Sequence, residues 1–250
     1  MADLVVRYEA DEKVSVITLN RPEKLNAISA ELQHQLLAAF LRADEDAETS
    51  VVLLQAEGRS FCAGYDISAK EPGTDDWRSN PTTAHQHLSV QLDFEMTPWA
   101  MKKPVIASVQ GHVMGGGCEL VMLCDLTIAA DNATFGEPEV RFSSVGPAIV
   151  MPMIIGYKRA RELLYFGDTI DAKSALKLGM VNRVVPSRSC GRQASVTPSG
   201  VIDFAGSALR GQACGQSRRR RLGFPHRDLC RARRCRPALL DQDGIRDQVP

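Results

Sequence analysis

Gly115, Gly116 and Gly117, with Glu119 just beyond them, make up the stretch of this sequence best suited to chemistry. Consecutive glycines leave peptide N–H groups uncovered by any Cβ. A helix that begins there aims its first free donors and its positive dipole end into the same small volume. That volume suits an oxygen gaining negative charge. A second turn of the same build, Phe61-Cys62-Ala63-Gly64-Tyr65-Asp66-Ile67, could lend another backbone donor to one shared oxygen. Glu139, which follows Pro138, is a second acid beside a turn. Two carboxyl groups facing one water can divide acid and base work, because neighbouring carboxylates resist being charged together. Blander readings stand alongside these: Glu119 as a helix-start charge favoured by the dipole, Glu139 as a loop brace, Asp66 as a helix cap, and Glu137 and Asp125 as structural acids.

The elements that must position these residues follow from periodicity. The β-rich apolar run opened by Lys103-Pro104 reads as a strand running into the glycine turn, and Leu120 to Cys124 completes a short helix after it. Upstream, Leu4 to Tyr8 and Val14 to Leu19 predict a hairpin turning at 10–13, and Ser29 caps a helix whose apolar stripe is Leu32, Leu36, Leu37, Phe40 and Leu41. Val51 to Ala56 predicts a buried strand feeding the Gly64 turn. Residues 70–83 are polar and hold two prolines, which predicts a surface loop, and Leu88, Leu92, Met96 and Trp99 predict a helix bent or broken near Pro98. Downstream come a strand at Leu126 to Ala130, an extended segment ending at Glu139, helices at Lys158 to Phe166 and Asp171 to Leu178, and a strand at Val181 to Val185. Strands alternating with helices predict an α/β protein.

Composition separates two regions. The 250 residues are 44% hydrophobic, enough for a substantial core, and Lys+Arg balances Asp+Glu at 30 each. The balance hides a split: residues 1–187 carry 17 basic and 25 acidic side chains, whereas 188–250 carry 13 arginines, no lysine and 5 acids. Cys62, Cys118 and Cys124 sit in apolar or turn contexts as reduced thiols, and the other four cysteines fall in the arginine-rich end. The first twenty residues alternate apolar and charged, so neither a signal peptide nor a membrane span is expected and a cytoplasmic protein is. His112 is expected to pack or bond locally, and His34, His85, His87 and His226 to lie on the surface.

The ordered set of motifs is more specific than any one of them. Asn20-Arg21-Pro22 with Leu25-Asn26-Ala27, the Phe61 to Ile67 turn, Lys103 to Ala107 with Gly115 to Leu120, and Phe135-Gly136-Glu137-Pro138-Glu139 together resemble the crotonase superfamily, the enoyl-CoA hydratase/isomerase family. The resemblance spans roughly residues 5–186. It implies an α/β core of repeated ββα units wound into a spiral, assembled as trimers or hexamers. It also implies acyl- or enoyl-CoA thioester substrates, with coenzyme A as part of the substrate and no cofactor or metal. Carried over residue by residue, it implies an oxyanion hole from the backbone N–H groups of Tyr65 and Gly116, catalytic Glu119 and Glu139, and CoA contacts at Lys24, Leu25, Ala63, Asp66 and Ile67.

The expected activity is hydration of a 2-enoyl-CoA, with isomerisation or another enolate reaction as the alternative. An inactive CoA-ester or nucleic-acid binder is the reading from outside catalysis. Two departures stand out. Ser143 to Pro152 replaces the family's Gly-rich acyl-end stretch, and after residue 186 the family's covering helices have no counterpart. The domain expectation is therefore a catalytic core over 1–186 and an atypical, poorly ordered tail over 187–250, for which a shifted reading frame is favoured over a nucleic-acid arm.

Overall fold

The computed structural model describes residues 4–11, 13–67, 80–142 and 150–187, together with the backbone of three short strands between 194 and 209. All belong to one compact unit, Met1–Gly211. The Arg218 to Arg236 cluster, the four later cysteines, His226 and the stretch 143–149 lie outside the described residues.

The main sheet has six strands. β1 (Val6–Asp11) pairs antiparallel with β2 (Val14–Leu19), and every later pairing is parallel: β3 (Val51–Ala56), β4 (Val105–Val109), β6 (Leu126–Ala130) and β9 (Arg183–Val185), in the order β1-β2-β3-β4-β6-β9. A second sheet holds three short strands, β5 (His112–Met114), β7 (Thr134–Gly136) and β8 (Thr169–Asp171), with β7 in the middle. A long strand of the first sheet is thus followed by a short strand of the second and then a helix, twice in succession: β4, β5 and α4 (Gly116–Met122), then β6, β7 and a 3₁₀ turn at Pro138–Phe142. The preceding crossing follows the same plan, since after β3 the chain bridges Cys62 to Val113 of β5. Stacking these repeats brings the turns after β3 and β4 side by side.

Alternation along the strands fixes both faces of the main sheet. Val52, Leu54, Val105, Ala107 and Val109 face the larger core, with Leu32, Leu36 and Phe40 of α1 (Ala30–Glu45) and Phe61, Phe135 and Met151. Val14, Val51, Leu53, Ile106 and Ile128 form a smaller cluster on the other face. The Ser29 hydroxyl caps α1 by accepting from the Leu32 N–H at 3.2 Å, as its sequence position predicts.

Several boundaries differ from expectation. β1 runs to Asp11 because Ala10 and Asp11 still pair with Ser15 and Val14, so the turn is shorter than 10–13. Pro81 opens α2 (Pro81–Glu95) rather than sitting in a loop. The Asn80 side-chain carbonyl accepts the Thr82 N–H at 2.8 Å, and proline is tolerated in a helix's first turn, where its missing donor would have had no partner. The remainder of that expected loop, 70–79, lies outside the described residues. The break falls at Met96, and Pro98 lies in the first turn of α3 (Thr97–Ala100).

α4 begins at the glycine turn as expected but ends at Met122 rather than Cys124, and Glu139 lies in the 3₁₀ turn rather than an extended segment. α5 (Met151–Ile155) and β8 were not anticipated, whereas α6 (Tyr157–Phe166) and α7 (Ala172–Leu178) were. α7 has its predicted caps, with Asp171 accepting the Ser174 N–H at 2.8 Å and Gly179 ending it at φ +80°. β10 (Ala194–Val196), β11 (Ile202–Phe204) and β12 (Ser207–Leu209) form a small antiparallel sheet. Among the described residues no helix is long and apolar enough to cross a membrane.

Candidate active site

The turn carrying Tyr65 is shaped by a loop far upstream. Leu25 and Asn26 both adopt positive φ, +53° and +54°, a conformation that is costly for side chains other than asparagine and needs fixing from outside. Buried Asn26 provides the fixing: its amide donates to the Glu57 and Ser60 carbonyls, each at 2.9 Å, and its side-chain oxygen accepts the Arg21 N–H at 2.8 Å. The stabilised loop then pairs with the turn. Ala63 N–H donates to the Leu25 carbonyl at 3.0 Å, Ile28 N–H to the Gly64 carbonyl at 2.8 Å, and Asp66 N–H to the Ile28 carbonyl at 3.0 Å. In a parallel rung of this kind the residue between the two bonded peptides turns its own N–H the opposite way. That residue is Tyr65.

Gly115 positions the second donor. At φ +51° and ψ −130° it ends β5 and starts α4, and its N–H is occupied by the Gly136 carbonyl at 2.9 Å, leaving the next N–H, that of Gly116, at the open end of the helix. Among the described residues neither the Tyr65 N–H nor the Gly116 N–H meets an acceptor. The two turns touch: a methyl group on Gly64 would lie 3.2 Å from the Met114 carbonyl oxygen, and one on Gly115 would lie 3.7 Å from the Gly64 Cα.

Four carboxyl groups crowd this junction. Glu119 lies in the first turn of α4 and is 1% exposed, and the Glu139 carboxyl lies directly against Gly115. Glu137 and Glu95 are also buried, and one carboxyl oxygen of each of the four has no hydrogen-bond partner among the described residues. Burial and then the neighbouring Glu139 charge push Glu119 up to about 7. Burial raises Glu139 as well. Glu137 is held far above the usual carboxylate range by burial and by the Glu119 and Glu139 charges, so it stays protonated. Glu95 is pushed up to about 9 by burial and then by Glu119. Its Oε1 accepts the Tyr65 hydroxyl at 3.0 Å.

The other expected contacts fall along one strip. Lys24 is exposed at the end of a 3₁₀ turn, Leu25 and Ala63 are half-buried and hydrogen-bonded to each other, and Asp66 follows Tyr65. Ile67 is 80% exposed at the strip's end. The Asp66 carboxylate accepts from Arg21 at 2.7 Å, and the stretch it could cap, from residue 68 on, lies outside the described residues. His112 is exposed and bonds locally to Thr134 at 3.2 Å, as expected. Asp125 accepts the Val105 N–H at 2.7 Å, a structural role. Among the described residues no three His, Cys, Asp or Glu side chains are arranged to hold a metal ion. Sequence reasoning missed Glu95 and the anchoring role of Asn26. The available signal for Glu95 was a charge three residues after Leu92 and seven after Leu88, on the apolar face of its helix.

A family model described as enoyl-CoA hydratase/isomerase matches residues 9–196. This chain belongs to the enoyl-CoA hydratase/isomerase family. The probable enoyl-CoA hydratase echA8 of Mycobacterium bovis is 34% identical over 212 residues, covering 82% of this chain and 78% of that protein. The Mycobacterium leprae protein of the same name is 34% identical over 204 residues, covering 80% and 76%. Among solved structures, an enoyl-CoA hydratase/isomerase from Xanthobacter autotrophicus Py2 superposes with a TM-score of 0.68 at 36% identity, over 74% of this chain and 68% of that one. A probable enoyl-CoA hydratase from Mycobacterium thermoresistibile gives 0.68 at 35% identity, over 75% and 76%. The parallel sheet and ββα repeats described above are accordingly those of the crotonase fold. Membership in the enoyl-CoA hydratase/isomerase family implies an acyl-CoA substrate.

Proposed function

We propose that this member of the enoyl-CoA hydratase/isomerase family hydrates 2-enoyl-CoA thioesters. The thioester oxygen sits between the Tyr65 and Gly116 N–H groups, which polarise it and take up negative charge as the enolate forms. A water held by Glu119 attacks Cβ. The new C–O bond forms as the Cα–Cβ π pair moves toward the thioester oxygen, and the water's proton passes to the Glu119 carboxylate. Collapse of the enolate takes a proton from the Glu139 carboxyl to Cα, so one water is added overall and one proton is left on the pair. The thioester carbonyl is the electron sink, so the reaction calls for no cofactor beyond the CoA of the substrate. Lys24, Leu25, Ala63, Asp66 and Ile67 form the strip offered to that CoA, and residues 1–186 carry every group used.

The observation that supports this reading best is the meeting of two glycine turns: two peptide donors without an acceptor among the described residues lie beside the buried Glu119 and half-buried Glu139 carboxyl groups, and Glu119 is poised near neutrality. Each donor is worth about 3 kcal/mol of barrier. The test is incubation with a short 2-enoyl-CoA, with mass analysis of the product. A 3-hydroxyacyl-CoA is expected. Recovery of unreacted substrate, or of a shifted double bond without added water, would refute hydration.

A further inference from the structure

We propose that Tyr65, pinned by Glu95, sets the acyl length this site accepts: its ring closes the pocket beside the oxyanion donors, so short acyl groups fit and long ones do not. The inference rests on the reading of Tyr65 and Gly116 as those donors, and it names the substrate class. Tyr65 contributes both a main-chain donor and a side chain, so whatever oxygen its N–H holds, the ring cannot be far away. Contacts give the ring's direction. A methyl group on Gly116 would strike Cε2 of the Tyr65 ring, and would come within 2.9 Å of Cδ2 and 3.0 Å of Glu95 Oε1. The ring therefore lies flush against the peptide that opens α4. Its hydroxyl reaches toward the carboxyl cluster, donating to Glu95 with Glu119 near enough to act on it electrostatically. That is the side on which Cα and Cβ of a bound acyl group must lie if Glu119 and Glu139 are to serve them.

The ring is held there rather than resting there. Its hydroxyl donates at 3.0 Å to Glu95, a side chain that is 0% exposed and fixed on α2. Burying a carboxyl group is costly without a compensating bond, and this one has its hydrogen-bonded oxygen on Tyr65 while its other oxygen has no partner among the described residues. Glu95 stays protonated through neutral pH, so the anchor persists where the enzyme works. Swinging the ring aside to admit a longer chain would break that bond and strand the carboxyl.

Saturated butanoyl-CoA and decanoyl-CoA, bound by the full chain and measured by calorimetry, test this without any turnover. In an open apolar tunnel each further buried methylene tightens binding about fourfold. The wild-type chain is expected to bind decanoyl-CoA no tighter than butanoyl-CoA. Tyr65→Ala is expected to shift the ratio at least tenfold toward decanoyl-CoA. Glu95→Ala should shift it in the same direction, while Glu95→Gln, which keeps an acceptor for the hydroxyl, should restore the wild-type ratio. Decanoyl-CoA binding tenfold or more tighter than butanoyl-CoA in the wild type would overturn the proposal whatever the variants do, and so would binding of neither ester. An unchanged ratio in Tyr65→Ala would also overturn it. A chain that prefers the short ester yet hydrates no enoyl-CoA would uphold the pocket assignment and sink the reaction instead.

Discussion

Replacing Glu95 with glutamine should make this protein more stable in mild alkali, and the size of the effect follows from the site. Glu95 has a folded-state pKa of about 9 against 4.5 for the free side chain, raised chiefly by burial and then by Glu119. A carboxyl whose folded pKa is raised binds its proton more tightly in the native state. Its contribution to stability is therefore full below about pH 4.5 and is lost progressively as pH rises toward 9. At about 1.4 kcal/mol per pH unit, the loss between pH 5 and pH 8 is on the order of 4 kcal/mol from this side chain alone. The substituted glutamine keeps the shape and an acceptor for the Tyr65 hydroxyl but has no proton to lose. For a domain of this size, about 4 kcal/mol corresponds to roughly 10 °C in Tm. Thermal unfolding followed by circular dichroism at pH 5, 6.5 and 8 should show wild type and Glu95→Gln melting together at pH 5 and separating toward pH 8, with the variant higher. Parallel curves within about 2 °C at every pH would refute the reasoning.

Glu119→Gln and Glu139→Gln should each cut hydration by about 100-fold or more while acyl-CoA affinity stays within a few-fold, as steady-state kinetics alongside calorimetry will show. Wild-type kcat/KM should fall as pH rises through about 7, where Glu119 ionises against an already charged Glu139 and the pair loses the one proton the reaction needs; a profile flat from pH 5 to 8 would contradict the shared-proton mechanism. Gly116→Ala should abolish turnover, because the added methyl collides with the Tyr65 ring beside the donor; activity within threefold of wild type would rule out that packing. Asn26→Ala removes three hydrogen bonds from a strained loop and should cost about 2–4 kcal/mol in urea unfolding, with activity lost alongside.

The fold was legible wherever a single period governed the chain. The α1 stripe and its Ser29 cap, the buried β3 and β4 runs, and α7 between Asp171 and Gly179 all follow from local chemistry, and the structure has them there. β5 and β8 were not read because strands of three residues hold no periodicity. They exist because neighbouring repeats supply their partners. Pro81 misled because proline ends helices in general but is tolerated in the first turn, and only the Asn80 cap shows which case applies. At the site, the glycine turns and Glu119 could be read directly, since their chemistry is local. The burial of Glu95 and the bridging of Asn26 depend on partners 30 or more residues away, which no local pattern carries.

The proposed catalysis rests on two peptide donors acting on one thioester oxygen, and infrared difference spectroscopy of a bound acyl-CoA carrying a ¹³C-labelled thioester carbonyl reads that directly. The carbonyl stretch should move to lower frequency than in solution as the Tyr65 and Gly116 N–H groups draw electron density onto oxygen. A stretch at or above its solution frequency, with the ligand demonstrably bound, would contradict the account.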